Sequence, residues 1–159
     1  MATDPFLEED FRVLTPEAFE FVLTNELKRA QRSQNFVTLV VVEPAPKSRA
    51  AGGEGSEEDR DAAVREVARL ISRDVRETDL ISHTGRGQLS VVLLDADLDN
   101  SIRVIDRLMA RLDHYEFPRP LTFEVGAACC PTHGADAESL RRAAESRPVR
   151  TRGDRSNAQ

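Results

Sequence analysis

Apolar residues recur along the chain with two different periods, and the changes of period divide it into elements. Phe19, Val22, Leu23, Leu27 and Ala30 fall on one face of a helix, with Glu26, Lys28 and Arg29 pointing elsewhere. Thr15 is a candidate N-cap and Pro16 a first helical residue, so the helix is predicted to begin there and to fray near Ser33 to Asn35. The run from Phe36 to Val42 is continuous, short and β-branched, as a central strand covered on both faces requires, and Glu43 and Pro44 are expected to end it. Val64, Val67, Ile71 and Val75 then predict a second amphipathic helix from about Glu57 to Arg76.

Two strands follow, Asp79 to His83 and Gln88 to Leu94. They flank Thr84-Gly85-Arg86-Gly87, whose glycines supply the positive backbone angles of a tight hairpin. A third helix, from about Leu98 to Tyr115, places Ile102, Ile105, Met109 and Leu112 inward, and the prolines at 118 and 120 break the chain after it. Leu121, Phe123, Val125 and Ala127 alternate as a half-buried strand, and Ala135 to Glu145 can form a short last helix. The succession predicts an α/β (α+β) fold of ferredoxin-like or palm type, with a single, mainly antiparallel sheet flanked by helices and a hairpin at its centre. Residues 1–13 read as a lead-in and 14–146 as the domain. Within it, the Pro/Ala/Gly/Ser-rich stretch 44–58 reads as a flexible loop, and the polar 147–159 as a disordered tail.

Composition narrows the function classes. A length of 159 residues, with 40% hydrophobic and 31% charged residues, suits one soluble domain with a real core. A net charge of -6 without a basic run argues against nucleic acid as a partner. Phe36 to Val42 is the longest apolar stretch, far too short for a bilayer, and the N-terminus is acidic where a secretory signal would be basic; a cytoplasmic protein without a membrane partner is expected. Cys129 and Cys130 are adjacent, which strains a mutual disulfide and offers no spaced zinc ligands, so they read as strand-end residues. His83, His114 and His133 are scattered and suggest no triad or metal cluster. These features suggest no cofactor and no metal site.

The segment from Arg76 to Leu94 runs through a helix end, a strand, a Gly-Arg-Gly hairpin and an apolar strand, and it resembles the centre of GGDEF (diguanylate cyclase) domains. Leu121 to Ala128, followed by Pro131 and Gly134, is similar to the family's late strand, and Leu14 to Phe19 to its first helix; the resemblance covers roughly residues 14 to 146. In active members the hairpin carries two glycines, an acidic residue, a glutamate and a phenylalanine. Here Gly85, Arg86, Gly87, Gln88 and Leu89 occupy those places. Making a phosphodiester from GTP needs carboxylates to hold divalent metal against the phosphates, and Gly87 and Gln88 cannot supply that charge. At the family's other metal position Glu43 is the only acid, followed by Pro44, Ala45 and Pro46, and alone it reads as a solvated strand-end residue. The resemblance therefore implies a catalytically inactive GGDEF-like domain.

Members of the family can also carry an inhibitory site, Arg-x-x-Asp placed five residues before the hairpin motif, that binds cyclic di-GMP. Arg76 and Asp79 match it in type and spacing, and Arg107 on the next helix lies where a further arginine can complete the site. An arginine can fork onto guanine O6 and N7, and a carboxylate can accept guanine N–H groups. A plainer reading also stands: Arg76 complements the negative end of the second helix and Asp79 caps a turn. Arg103 and Asp106 satisfy the same four-residue pattern, but out of register with the hairpin. Two functions follow. One is a cyclic di-GMP receptor that alters contacts with another signalling protein or a second copy. The other is an interaction or dimerisation module that binds no nucleotide.

Overall fold

A computed structural model describes residues 7–8, 13–46, 57–83, 87–117 and 120–151. In chain order the elements are strands β1 (Leu7–Glu8) and β2 (Val13–Leu14), helix α1 (Pro16–Ser33), strand β3 (Val37–Pro46), helix α2 (Glu57–Asp74), strands β4 (Leu80–His83) and β5 (Leu89–Leu94), helix α3 (Leu98–His114), strand β6 (Leu121–Cys130), helix α4 (Ala137–Ser146) and strand β7 (Pro148–Thr151). One seven-stranded sheet runs in the order β1-β2-β4-β5-β3-β6-β7. Among the described residues only β2 and β4 pair in parallel; the other five pairings are antiparallel.

The central strand explains the layering. Along β3 alternate side chains enter two cores: Val40 and Val42 join the residues of α2 and α3, whereas Val37, Leu39 and Val41 join those of α1 and α4. The continuous apolar run thus marks a strand with helices on both faces, each fully buried aliphatic side chain contributing about 1.5–3 kcal/mol. The N-cap of α1 is as expected, with the Thr15 hydroxyl accepting from the Ala18 N–H, and the helix closes at Gln34 in the left-handed region (φ 58°). Phe19, Leu23, Leu27 and Ala30 are buried, as are Val64, Val67, Ile71 and Val75 on the second helical segment and Ile105, Met109 and Leu112 on the third.

Several expectations need correction. β3 does not stop at Glu43 and Pro44. It continues to Pro46 against β6, in the register Pro44↔Phe123 and Pro46↔Leu121. Its pairing with β5 ends at Val42↔Leu89, so among the described residues the prolines pair with β6 alone and no ladder donor is needed on the other side. The rest of the expected 44–58 loop, residues 47–56, lies outside the described residues. β6 is longer than its alternation suggested. Leu121, Phe123, Val125 and Ala127 face α2 and α3, but from Val125 to Cys130 every residue is buried because α4 covers the other face. That cover is possible because Gly126 has no Cβ: one would collide with the Ala144 carbonyl. Residues 148–151, expected in a disordered tail, pair with β6, and the lead-in contributes β1 and β2, so the sheet draws on both segments assigned outside the domain.

α2 and α3 are pinned together by a side-chain network. The Tyr115 hydroxyl donates to Glu66, which also accepts from Arg69 Nε at 2.6 Å. The Tyr115 ring meets Phe117 edge-on, 4.8 Å between centroids, and Phe117 leans on Phe123 of the sheet. The Arg69 guanidinium, then the Tyr115 hydroxyl, hold the Glu66 carboxyl below the usual carboxylate range. A depressed carboxyl contributes stability that is present above its unfolded pKa and is lost as the pH falls through its folded pKa. Glu66→Gln is therefore expected to unfold at lower urea concentration at neutral pH, with the gap to wild type narrowing as the pH falls from about 5 to about 3. Circular dichroism across that range measures it, and a gap independent of pH would contradict the assignment.

Candidate functional site

Asp79 is buried, 4% exposed, at the junction where the second helical segment gives way to β4. A carboxylate in such a place must be surrounded by donors. Its Oδ2 accepts the Arg76 N–H at 3.0 Å and lies 3.5 Å from Arg76 Nε; its Oδ1 accepts the Leu94 N–H at 3.2 Å and lies 3.4 Å from Arg76 Nη2. The Asp79 N–H returns to the Arg76 carbonyl at 3.0 Å, closing a tight turn. Arg76 Nη2 also donates to the Leu94 carbonyl. α2 ends at Asp74, so Arg76 stands in this turn rather than in the helix, with its side chain 61% exposed.

Arg107 comes to the same place from α3. Its Nη2 lies 3.5 Å from the Asp74 carbonyl, and one turn further along α3 Arg111 Nε pairs with the Asp74 carboxylate at 2.5 Å. Cations at a helix C-terminus complement its dipole, which accounts for the pairing locally. The result is three arginines, Arg76, Arg107 and Arg111, around the C-terminal end of α2. Arg76 and Asp79 are thus in contact and Arg107 reaches the last residue of α2, two positions before Arg76, whereas Arg103 and Asp106 lie exposed along α3. Arg111 and the backbone of Leu94 were not among the expected site residues. Arg111 could have been found from its i,i+4 spacing to Arg107, but Leu94 enters only through strand pairing.

The hairpin end of the sheet is separate. Gly87 has the positive angle expected of it, φ 71°; Gly85 and Arg86 lie outside the described residues. Leu89 is fully buried opposite Val42. Gln88 Nε2 donates to Glu145 of α4 at 3.4 Å. Glu43 is exposed and stands directly across from Glu124, another exposed carboxylate. Cys129 and Cys130 close β6, free and buried, with burial pushing both thiols up. Among the described residues no group of three or more His, Cys, Asp or Glu side chains could hold a metal ion, and no helix is long and apolar enough to cross a membrane.

Residues 16–157 match the family described as diguanylate cyclase, GGDEF domain. The chain belongs to the GGDEF domain family. Solved GGDEF structures share its fold. The GGDEF domain of YfiN (TpbB) from Pseudomonas aeruginosa superposes with a TM-score of 0.73 at 18% identity, over 84% of this chain and 86% of that one. A sensory box/GGDEF family protein from Caulobacter crescentus gives 0.74 at 18% identity, over 89% and 94%. The GGDEF domain of DgcB from Caulobacter crescentus, solved in complex with c-di-GMP, gives 0.72 at 14% identity, over 92% and 89%. No curated protein matches the sequence.

In this GGDEF domain Asp79 and Arg76 have different structural weights. Removing the buried carboxylate with Asp79→Ala takes an acceptor from the partly buried N–H groups of Arg76 and Leu94, at about 1–3 kcal/mol in all. Arg76→Ala removes a largely exposed cation and is expected to cost about 1 kcal/mol or less. Urea unfolding of the two variants measures the difference, and equal losses would contradict the geometry.

Proposed function

We propose that this GGDEF domain is a non-enzymatic receptor for cyclic di-GMP, bound at Arg76 and Arg107 and altering how the domain meets another signalling protein or a second copy. The observation that carries the reading is an exposed Arg76 guanidinium held in place by a buried carboxylate, two residues past the helix end that Arg107 reaches. A guanidinium can fork onto the O6 and N7 edge of a guanine, and a second can pair with a phosphate of the same ligand. Asp79 already accepts from four N–H groups and is 3% exposed at its side chain, so its part is to orient Arg76. The complex of the DgcB domain with c-di-GMP agrees with a ligand of this kind for the fold.

The same reading takes the cyclase reaction to be lost. Active relatives need divalent metal at the hairpin end of the sheet. The donors described there do not fit such an ion: Glu43 and, across from it, Glu124 are exposed carboxylates in no group of three ligating side chains, and Gln88 is a carboxamide engaged with Glu145. An amide offers no charge to offset a divalent cation or to take up a proton from a ribose hydroxyl. Fold likeness does not restore the missing carboxylate.

A protein-interaction module without a nucleotide is the second reading, and the observation in its favour is Phe21, 70% exposed on the outer side of α1. Calorimetric titration with cyclic di-GMP separates the two. Wild type is expected to bind at micromolar affinity or tighter, about -8 kcal/mol or better, Arg76→Ala to abolish the heat, and Arg107→Ala to weaken binding. Incubation with GTP and magnesium or manganese is expected to yield no cyclic di-GMP. An absence of heat with wild type would select the interaction module, and turnover lost on changing Glu43 would overturn the inactive reading.

A further inference from the structure

A receptor arginine has to present a pair of N–H groups to its ligand, yet the Arg76 guanidinium is already engaged on the protein. Nη2 donates to the Leu94 carbonyl and lies 3.4 Å from Asp79 Oδ1, while Asp79 Oδ1 accepts the Leu94 N–H. Arg76 and Asp79 thus grip both polar groups of one residue, the last of β5. The chain leaves Leu94 through a turn that leads into α3. Asp95 adopts the left-handed conformation (φ 57°), the Ala96 carbonyl accepts the buried Thr38 hydroxyl at 2.9 Å, and Asp97 caps α3 by accepting the Asn100 N–H at 2.9 Å. α3 is the helix that carries Arg107 and Arg111.

We infer that Arg76 is a latch on the Leu94 to Asp97 turn, and that the cyclic dinucleotide is bound in exchange for the Leu94 carbonyl. The inference rests on the receptor reading above. A guanine O6/N7 edge and a peptide carbonyl compete for the same donors, and a forked contact to guanine outweighs one N–H to a neutral carbonyl, which gives the ligand the differential affinity needed to open the latch. Asp79 keeps the Leu94 N–H, so β5 remains in the sheet. The turn loses one of its three tethers, keeping Asp79 on the Leu94 N–H and Thr38 on the Ala96 carbonyl, and the first turn of α3 loosens with it. Ligand arrival at one exposed side chain is in this way converted into a change at the start of the helix that holds the other arm of the site.

The test is nuclear magnetic resonance of the full chain, isotopically labelled, with and without saturating cyclic di-GMP. Saturation of wild type is expected to move the Leu94 carbonyl resonance in the direction seen in ligand-free Arg76→Ala. Amide exchange from Asp95 to Leu98 is expected to quicken about fivefold or more, the low end of ordinary coupling between sites. Arg76→Met, which keeps the aliphatic stem without the donors, replaces Arg76→Ala if that variant does not fold. Binding seen elsewhere in the spectrum with the Leu94 carbonyl unmoved overturns the latch and leaves the receptor standing. No spectral change anywhere on addition of cyclic di-GMP overturns the receptor reading, and the latch falls with it.

Discussion

A carboxylate placed beneath a helix end and two strand ends can exist there only if the backbone brings it donors. Asp79 receives them from the Arg76 N–H, the Arg76 guanidinium and the Leu94 N–H. Satisfying that one group ties the end of the second helical segment, the start of β4 and the end of β5 into a single junction. The orientation of Arg76 follows from it, because the guanidinium is held on one side by the carboxylate and on another by the Leu94 carbonyl. Arg107 reaches the Asp74 carbonyl at the end of α2 because α2 and α3 lie side by side, pinned further along by Glu66, Arg69 and Tyr115. The candidate site is thus a product of packing, and its cations surround a helix C-terminus that favours positive charge.

The elements were legible where one physical signal dominated. A short β-branched run whose one polar member is Thr38 reads as a strand covered twice, and β3 is that strand. Four valines and isoleucines at helical spacing identified the inner face of α2 and the turn after it. The signal failed where small residues or tertiary contacts decided the outcome. Gly126 and Ala128 gave no sign that α4 covers the second face of β6, since a missing side chain is silent in a hydrophobic pattern. Residues 148–151 are polar enough to read as tail, yet the exposed edge of β6 offers them backbone partners. Pro44 and Pro46 stop a central strand but not one that, among the described residues, pairs on one side only.

Of the candidate site, residue types and register were legible, and the division of labour was not. Arg76, Asp79 and Arg107 could be named only through the resemblance to the family's inhibitory site, with Arg76 and Asp79 in register with the hairpin. That Asp79 is buried, and that Leu94 shares both residues, depends on the β4–β5 pairing, which no local pattern encodes. On the proposed reading, the family fold and the family's chemistry part here. The fold needs apolar alternation, a few caps and close backbone approaches, all of which this chain has. Metal-dependent chemistry needs particular carboxylates at the hairpin end of the sheet, where this chain places Glu43 and Gln88.

The most direct measurement is a crystal structure of the domain grown with cyclic di-GMP. The account expects the nucleotide between Arg76 and Arg107 at the C-terminal end of α2, with Asp79 still buried and holding the Leu94 N–H. Nucleotide seated instead beside Glu43 and Gln88 at the hairpin end of the sheet would contradict it.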